Sequence, residues 1–190
     1  MMTTEILANL GPLAPLVGIW EGDKGLDVAP SDDRGTENNL YRERMVFEPV
    51  GPVNNHEQCL YGLRYSTMAW RSGEDASFHE DMGYWLWDAR DQQVMKSFVI
   101  PRGIALMAGG SAEPSARSFT VAAKEGSPCY GIVHNLFLEK EFKIVGFNLT
   151  ITVATDGKSF TYEQDTLLKL KDRPDVFHHT DKNTLRQINT

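Results

Sequence analysis

The main pattern in this chain is an alternation of apolar and polar residues with a period of two. The alternation is clearest in Phe147–Val153, and it also runs through Gln58–Trp70 and Ser159–Leu170. A period of two is typical of β-strands that bury one face. Only Thr4–Asn9, near the N-terminus, has the pattern of a short helix. The pattern therefore predicts an all-β chain of about ten strands.

The spacing of the predicted strands favours a meander in which each strand pairs with the next. Ala89–Gln92, for example, is predicted to join Gly83–Asp88 to Gln93–Ile100 in a hairpin. Closing such a sheet removes its exposed edges. We expect residues 1–190 to form one antiparallel up-and-down β-barrel with a short N-terminal helix. Asp23–Asn39 is polar and contains glycine and proline, so it is predicted to be a peripheral loop.

Composition narrows the classes of partner and location. The net charge is −7 and no basic patch is visible, which argues against nucleic acid and anionic membranes as partners. No apolar run reaches the length of a transmembrane helix, and the N-terminus does not resemble a signal peptide. Cys59 and Cys129 have no metal-binding or redox spacing, so we expect free, buried thiols in a cytoplasmic protein.

The predicted inward faces of the barrel are of mixed polarity. A barrel of this size has room for one small ligand, and we expect a hydrophobic or planar molecule. Polar side chains on these faces need water or a ligand as partners. They are Tyr65, Thr67, Tyr162, Gln164 and Thr166.

Two adjacent histidines near the C-terminus, His178 and His179, are the main candidates for chemistry. Neighbouring residues on a strand face opposite sides, so at most one of them can face the interior. His179 is an even number of residues away from Phe177 and Leu185, so all three lie on the same face of a strand. Because Phe177 and Leu185 are apolar, this favours His179 as the inward residue. A neutral imidazole can bind a metal or haem iron. The other interpretations are a structural histidine near the barrel rim or a hydrogen-bond partner of Asp181.

Arginines and tryptophans suggest two further contacts. Arg64 or Arg102 could face a carboxylate of a ligand, because guanidinium binds such groups in a bidentate manner; a surface ion pair is the other interpretation. Trp85 and Trp87 share one face of a predicted strand. If that face were exposed, it would suit a homodimer contact.

Three motifs occur in an order that spans nearly the whole chain. The first is Leu13-x-Pro15-Leu16-x-Gly18-x-Trp20-x-Gly22. The second is His79-Glu80-x-x-Gly83-Tyr84, and the third is Pro174 followed by His178–His179. Together they resemble the nitrobindins, a haem-binding β-barrel family related to fatty-acid-binding proteins and lipocalins.

The resemblance implies a haem site with a histidine axial ligand. His179, or failing that His178, would bind the iron of haem b, with His79 near the open face. The other expected cofactor-binding residues are Arg64, Arg102, Tyr65 and Thr67. Nitric oxide or peroxynitrite would react at the open face, and an enzyme of this kind would be a haem-dependent peroxynitrite isomerase.

A second class of function stays open at the sequence level. The chain could be a cofactor-free intracellular carrier of a small hydrophobic or amphiphilic acid, similar to fatty-acid-binding proteins. Arg64 or Arg102 would then meet the acid head group, and no metal would take part. Haem titration separates the two classes.

Overall fold

The strands pair in an antiparallel meander that closes on itself. The computed structural model describes residues 2–188. The strands are β1 (Gly18–Pro30), β2 (Thr36–Asn55), β3 (Gln58–Arg71), β4 (His79–Asp88), β5 (Gln93–Ile100), β6 (Ile104–Ser111), β7 (Ser118–Lys124), β8 (Ile132–His134), β9 (Phe142–Val153), β10 (Ser159–Leu170) and β11 (Val176–Ile188). Each pairs with the next along the wall, except that β7 pairs with β9 and β8 adds to β6, and β11 pairs with β1 to close the ring. The predicted ten-stranded antiparallel barrel is confirmed.

Short helices cover one end of the barrel. They are α1 (Met2–Ala8) and a 3-10 helix (Gly11–Leu16); a third helix, α2 (Leu136–Glu141), precedes β9. Leu13 and Leu16 of the 3-10 helix are fully buried against Trp20, whose Nε1 donates to the Leu16 carbonyl at 2.7 Å. This end is therefore plugged. No helix within residues 2–188 has both the length and the apolarity needed to cross a membrane.

The tryptophans of β4 belong to the core. Trp85 and Trp87 are each only 2% exposed, and Trp85 lies opposite the fully buried Leu63 on β3. The parity of the strand directs both indoles inward and leaves Tyr84 outside. The predicted homodimer contact through Trp85 and Trp87 is therefore wrong.

The segment predicted as a peripheral loop, Asp23–Asn39, is instead a hairpin of the barrel wall. β1 and β2 run through it, and only residues 31–35 form the turn. Asp27 and Asn39 lie opposite each other, and the Asn39 side chain donates to Asp27 Oδ2 at 2.9 Å. The strands need no apolar side chains here because their inward polar groups satisfy one another.

The cysteines also differ from expectation, because both free thiols are exposed. Cys59 lies at the start of β3, next to the β2–β3 turn. Cys129 lies in the connection between β7 and β8. Connections run over the surface, so residues in or beside them reach solvent. The prediction that the thiols are buried is therefore wrong.

A buried hydrogen-bonded network around Glu43 occupies the interior between the plug and the opposite end. Glu43 is only 3% exposed. It accepts a hydrogen bond from Asn183 Nδ2 at 2.7 Å, and its Oε2 lies 3.2 Å from the Tyr162 hydroxyl. Burial raises the pKa of the Glu43 carboxyl to about 8, although Asn183 and Tyr162 oppose the shift, and the charges of Asp181 and Asp81 add to it.

Replacing Glu43 by glutamine should change how stability depends on pH. The folded chain keeps the proton up to a pH of about 8, against an ordinary pKa of 4.5. Between these values, rising pH favours the unfolded chain, at most by about 1.4 kcal/mol per pH unit. Glu43→Gln cannot ionise, so its stability relative to wild type should increase with pH in this window. Urea unfolding at several pH values measures the difference.

Glu163→Gln is the matched control for this prediction, because Glu163 is exposed on the outer face of β10. It removes one carboxylate without touching the buried network. A stability difference between Glu43→Gln and wild type that stays constant from pH 4.5 to 8 would contradict the raised pKa.

Candidate functional site

His179 faces the barrel interior at the end opposite the plug, which we call the mouth. Its inward parity matches that of Phe177 and Leu185, as predicted, and its side chain is 31% exposed. Its Nε2 lies 2.8 Å from Asp27 Oδ1 and 3.7 Å from Asp181 Oδ2. The closest partner is therefore Asp27 on β1, and not Asp181, which the sequence suggested.

Neutral amides orient the two carboxylates that flank His179. Asn39 donates to Asp27, and Gln164 Nε2 donates to Asp181 Oδ2 at 3.2 Å. Burial acts to raise the pKa of Asp27, but the hydrogen bond and the charge of His179, together with the hydrogen bond from Asn39, outweigh burial and lower the pKa. For Asp181, burial dominates and raises the pKa to about 6. Asp27 therefore loses its proton at a lower pH than Asp181 does.

The charges around His179 also set its own protonation. Burial acts to lower the pKa of the imidazole, but the hydrogen bond to Asp27 and the charges of Asp181 and Asp27 outweigh burial and raise it. An ionised carboxylate can accept hydrogen bonds but cannot donate them. The Nε2–H of His179 therefore donates to Asp27.

A second imidazole, that of His79, lies at the same end. His79 begins β4 opposite the buried Ala69. Burial lowers its pKa, Asp81 opposes that shift, and Arg102 adds to it. Arg102 follows β5 and donates from Nη2 to the Phe78 carbonyl at 3.2 Å. Arg102 also acts on the pKa of His179, so the mouth combines His79, Arg102 and His179.

A buried ion pair lies within the interior. Lys96 Nζ is 3.4 Å from Asp81 Oδ2, and the Tyr65 hydroxyl donates to the same oxygen at 2.9 Å. Burial lowers the pKa of Lys96, although Asp81 opposes the shift. Among residues 2–188, Asp81 Oδ1 has no hydrogen-bond partner. Tyr65 and Thr67 are both inward and buried, as predicted; their contact with a ligand stays a prediction.

Two of the predicted site residues lie outside the barrel. His178 is exposed, and its Nδ1 is 2.8 Å from Asp165 Oδ2. Arg64 is exposed and pairs with Glu48, Nη2 to Oε2, at 2.8 Å. Strand alternation turns both away from the interior, so neither can line the mouth. The alternative interpretation of Arg64 as a surface ion pair is the one the structure supports.

Surface depressions do not coincide with the mouth. One of about 450 Å³ lies on the outer face of β2–β5 and is lined by Arg64, Met82, Tyr84 and Val99 among others. Another, of about 380 Å³, lies where β1 bulges beside β11. Neither of these two depressions includes His179, so the chemistry of the side chains identifies the candidate site.

Three of the buried charged residues lie near the mouth and were not predicted from the sequence: Asp27, Asp81 and Lys96. Asp27 was assigned to a loop. Asp81 has the inward parity of Trp85, and Lys96 has that of Phe98. Parity was the signal that could have identified Asp81 and Lys96, although a charged residue at an inward position is unusual.

Comparisons with known proteins point to a family of haem-binding β-barrel proteins. The sequence matches the THAP4-like, heme-binding beta-barrel domain over residues 9–187. It is 33% identical over 84 residues to a peroxynitrite isomerase of Clavibacter sepedonicus, and 35% identical over 83 residues to one of Leifsonia xyli subsp. xyli. Each alignment covers 43% of this chain and 37% of the relative. The chain thus matches little more than a third of the length of these relatives.

A solved structure supports the fold. The crystal structure of Rv2717c from M. tuberculosis superposes with a TM-score of 0.65 over 93% of this chain and 95% of that one. The sequences are 19% identical, so this likeness concerns the barrel alone. The family match, in contrast, spans nearly all of the sequence. The chain therefore belongs to the THAP4-like haem-binding β-barrel domain family.

Proposed function

We propose that this chain binds haem b at the mouth of its barrel, with His179 as the axial ligand. One observation carries the proposal: an imidazole on the last strand faces the interior and is still 31% exposed, in a member of a haem-binding family. Such a group is reachable from solvent and has the donor chemistry that haem iron requires.

The donor set at the mouth fits haem. A carboxylate bonded to the second ring nitrogen of a ligating histidine fixes the ring and raises its basicity. Because Asp27 bonds Nε2, it can act in this way only if Nδ1 of His179 binds the iron. Because the Asp27 bond uses Nε2, ligation through this nitrogen requires Asp27 to give way and Nε2 to lose its proton. Arg102, at the same end, offers a guanidinium to a propionate.

The interior limits how deep the macrocycle can lie. Glu43, Asp81 and Lys96 are all buried and engaged with other interior side chains. Placing an apolar ring among them would break the hydrogen bonds of the buried Glu43 carboxyl and the Asp81–Lys96 ion pair, which is costly. The proposal therefore puts haem near the rim, beside His79 and His179.

We further propose that nitric oxide or peroxynitrite is the reactant. Haem, when bound, would supply the iron for this chemistry. Burial lowers the pKa of His79, so its imidazole is neutral near pH 7 and can accept a proton at the mouth. Arg102 provides a positive charge that attracts an anion. Peroxynitrite isomerase is the name of relatives matched over 37% of their length, and the same activity is a proposal for this chain.

The carrier of small amphiphilic acids is the weaker candidate. Arg64 lies outside the barrel and pairs with Glu48, which removes one of the two expected head-group contacts. A cytoplasmic location, where the exposed thiols stay reduced, completes the proposal.

Replacing His179 by alanine should weaken haem binding by about tenfold or more, the equivalent of about 1.4 kcal/mol. The substitution removes the inward imidazole, while the outward His178 remains. Titrating haem into the apo protein and following the Soret band measures both the affinity and the axial ligation. The variant should stay folded, because the imidazole lies at the rim and little apolar area depends on it.

His178→Ala is the matched control, because it removes the neighbouring imidazole from the outer face. It should leave the Soret spectrum and the affinity at wild-type values. If His179→Ala binds haem like wild type while both variants stay folded, axial ligation by His179 is wrong. If wild type gives no Soret band, haem binding itself is wrong.

A further inference from the structure

We propose that Asp27, His179 and Asp181 form a binding site for a divalent first-row transition-metal ion. One potential ligand atom from each of these side chains lies within 4.8 Å of the others. Two strands supply them, because Asp27 is on β1, whereas His179 and Asp181 are two residues apart on β11. The inference does not depend on haem binding.

The distances suit a compact metal site. His179 Nε2 lies 2.8 Å from Asp27 Oδ1 and 3.7 Å from Asp181 Oδ2. Adjacent ligand atoms around a tetrahedral Zn²⁺ with bonds of about 2.0–2.1 Å are about 3.3 Å apart. The observed separations bracket this value, so a metal ion requires only small shifts of these side chains.

Charge balance gives a reason, separate from the distances, for a cation at this place. Asp27 and Asp181 lie directly opposite each other in the pairing of β1 with β11, and like charges at opposed positions are destabilising. Within residues 2–188, neither carboxylate forms an ion pair with a lysine or arginine. A divalent ion with a neutral His179 balances the two negative charges, which a singly charged imidazole cannot do alone.

Neighbouring side chains hold the carboxylates in place. Asn39 bonds Asp27 Oδ2 and leaves Oδ1 directed at His179, and Gln164 bonds Asp181. Such outer contacts orient ligands and are typical of metal sites. Because both donors are neutral amides, they add no positive charge that would repel a cation.

The ligand set indicates which metals fit. One imidazole and two carboxylates suit Zn²⁺, Fe²⁺, Mn²⁺ or Co²⁺, whereas Ca²⁺ and Mg²⁺ prefer oxygen ligands only. His179 and Asp181 are 31% and 19% exposed, so an ion can enter from solvent and keep a position open. Binding would release the Nε2 proton of His179. Haem and the ion would both need His179, so they would exclude each other.

Zn²⁺ titration of the metal-free full chain against a chromophoric chelator tests the site. Wild type should bind one Zn²⁺ per chain. Asp181→Asn should weaken the affinity by at least about tenfold, because loss of even an outer contact to a ligand costs roughly 10–100-fold. His178→Ala is the matched control, because it disrupts the neighbouring His178–Asp165 pair on the outer face and should bind Zn²⁺ like wild type. Thermal melts check that each variant is folded.

Co²⁺ absorption on wild type gives a measurement that needs no variant. Bands of nitrogen- and oxygen-ligated Co²⁺ that disappear on adding one equivalent of Zn²⁺ support the site, and their absence overturns it. Equal Zn²⁺ affinities of Asp181→Asn and wild type, or loss of binding in His178→Ala, also overturn it. Asp181→Asn should still bind haem through His179. Zn²⁺ binding without a Soret band would therefore contradict only the haem proposal.

Discussion

The hydrogen bond between Asp27 and His179 joins the two strands that close the barrel. Asp27 is almost fully buried on β1, and its partner lies on β11. A buried carboxylate without a partner is costly, so the pairing of these strands and the orientation of His179 depend on each other. The same contact ties the β1–β2 hairpin to β11 in the barrel wall. It also holds the imidazole at the mouth.

The interior changes character along the barrel axis. Near the plug, Trp20 packs edge-on against Phe160 with ring centroids 5.0 Å apart, and burial of apolar area provides the stability. Towards the mouth, polar side chains replace apolar ones. Asp81 pairs with Lys96 and accepts a hydrogen bond from Tyr65, and Glu43 accepts one from Asn183. Polar groups of this kind have to be satisfied together, because one missing partner leaves a buried charge.

The contrast between an apolar end and a polar end limits where a ligand can bind in this barrel. A haem-binding barrel needs an axial donor and room for a macrocycle, and we propose that His179 supplies the donor. The charged interior restricts the room for a macrocycle to the rim. The same charged interior favours a small cation between Asp27 and Asp181, where the pairing of the strands opposes two carboxylates. On both proposals, haem and a metal ion would compete for the imidazole of His179.

The sequence predicted well wherever burial followed apolarity. Ser159–Leu170 was predicted with the bounds of β10, and the parity of Phe177 and Leu185 placed His179 inward. The sequence-based prediction failed where buried residues are polar. Asp27 and Asn39 lack the apolar pattern of a strand, yet they bond each other across the paired strands β1 and β2. Which face of β4 is buried depends on distant strands, so the local pattern could not assign Trp85 to the core.

The imidazole N–H signals of the apo protein test the central contact directly. In ¹⁵N–¹H spectra, a downfield ring N–H protected from exchange should be present in wild type and in His178→Ala, and absent in His179→Ala. Asp27→Ala should shift or abolish it, because the charge-assisted bond from Nε2 to the carboxylate is lost. A signal that Asp27→Ala leaves unchanged would contradict the account, because His179 would then be held at the mouth by something other than Asp27.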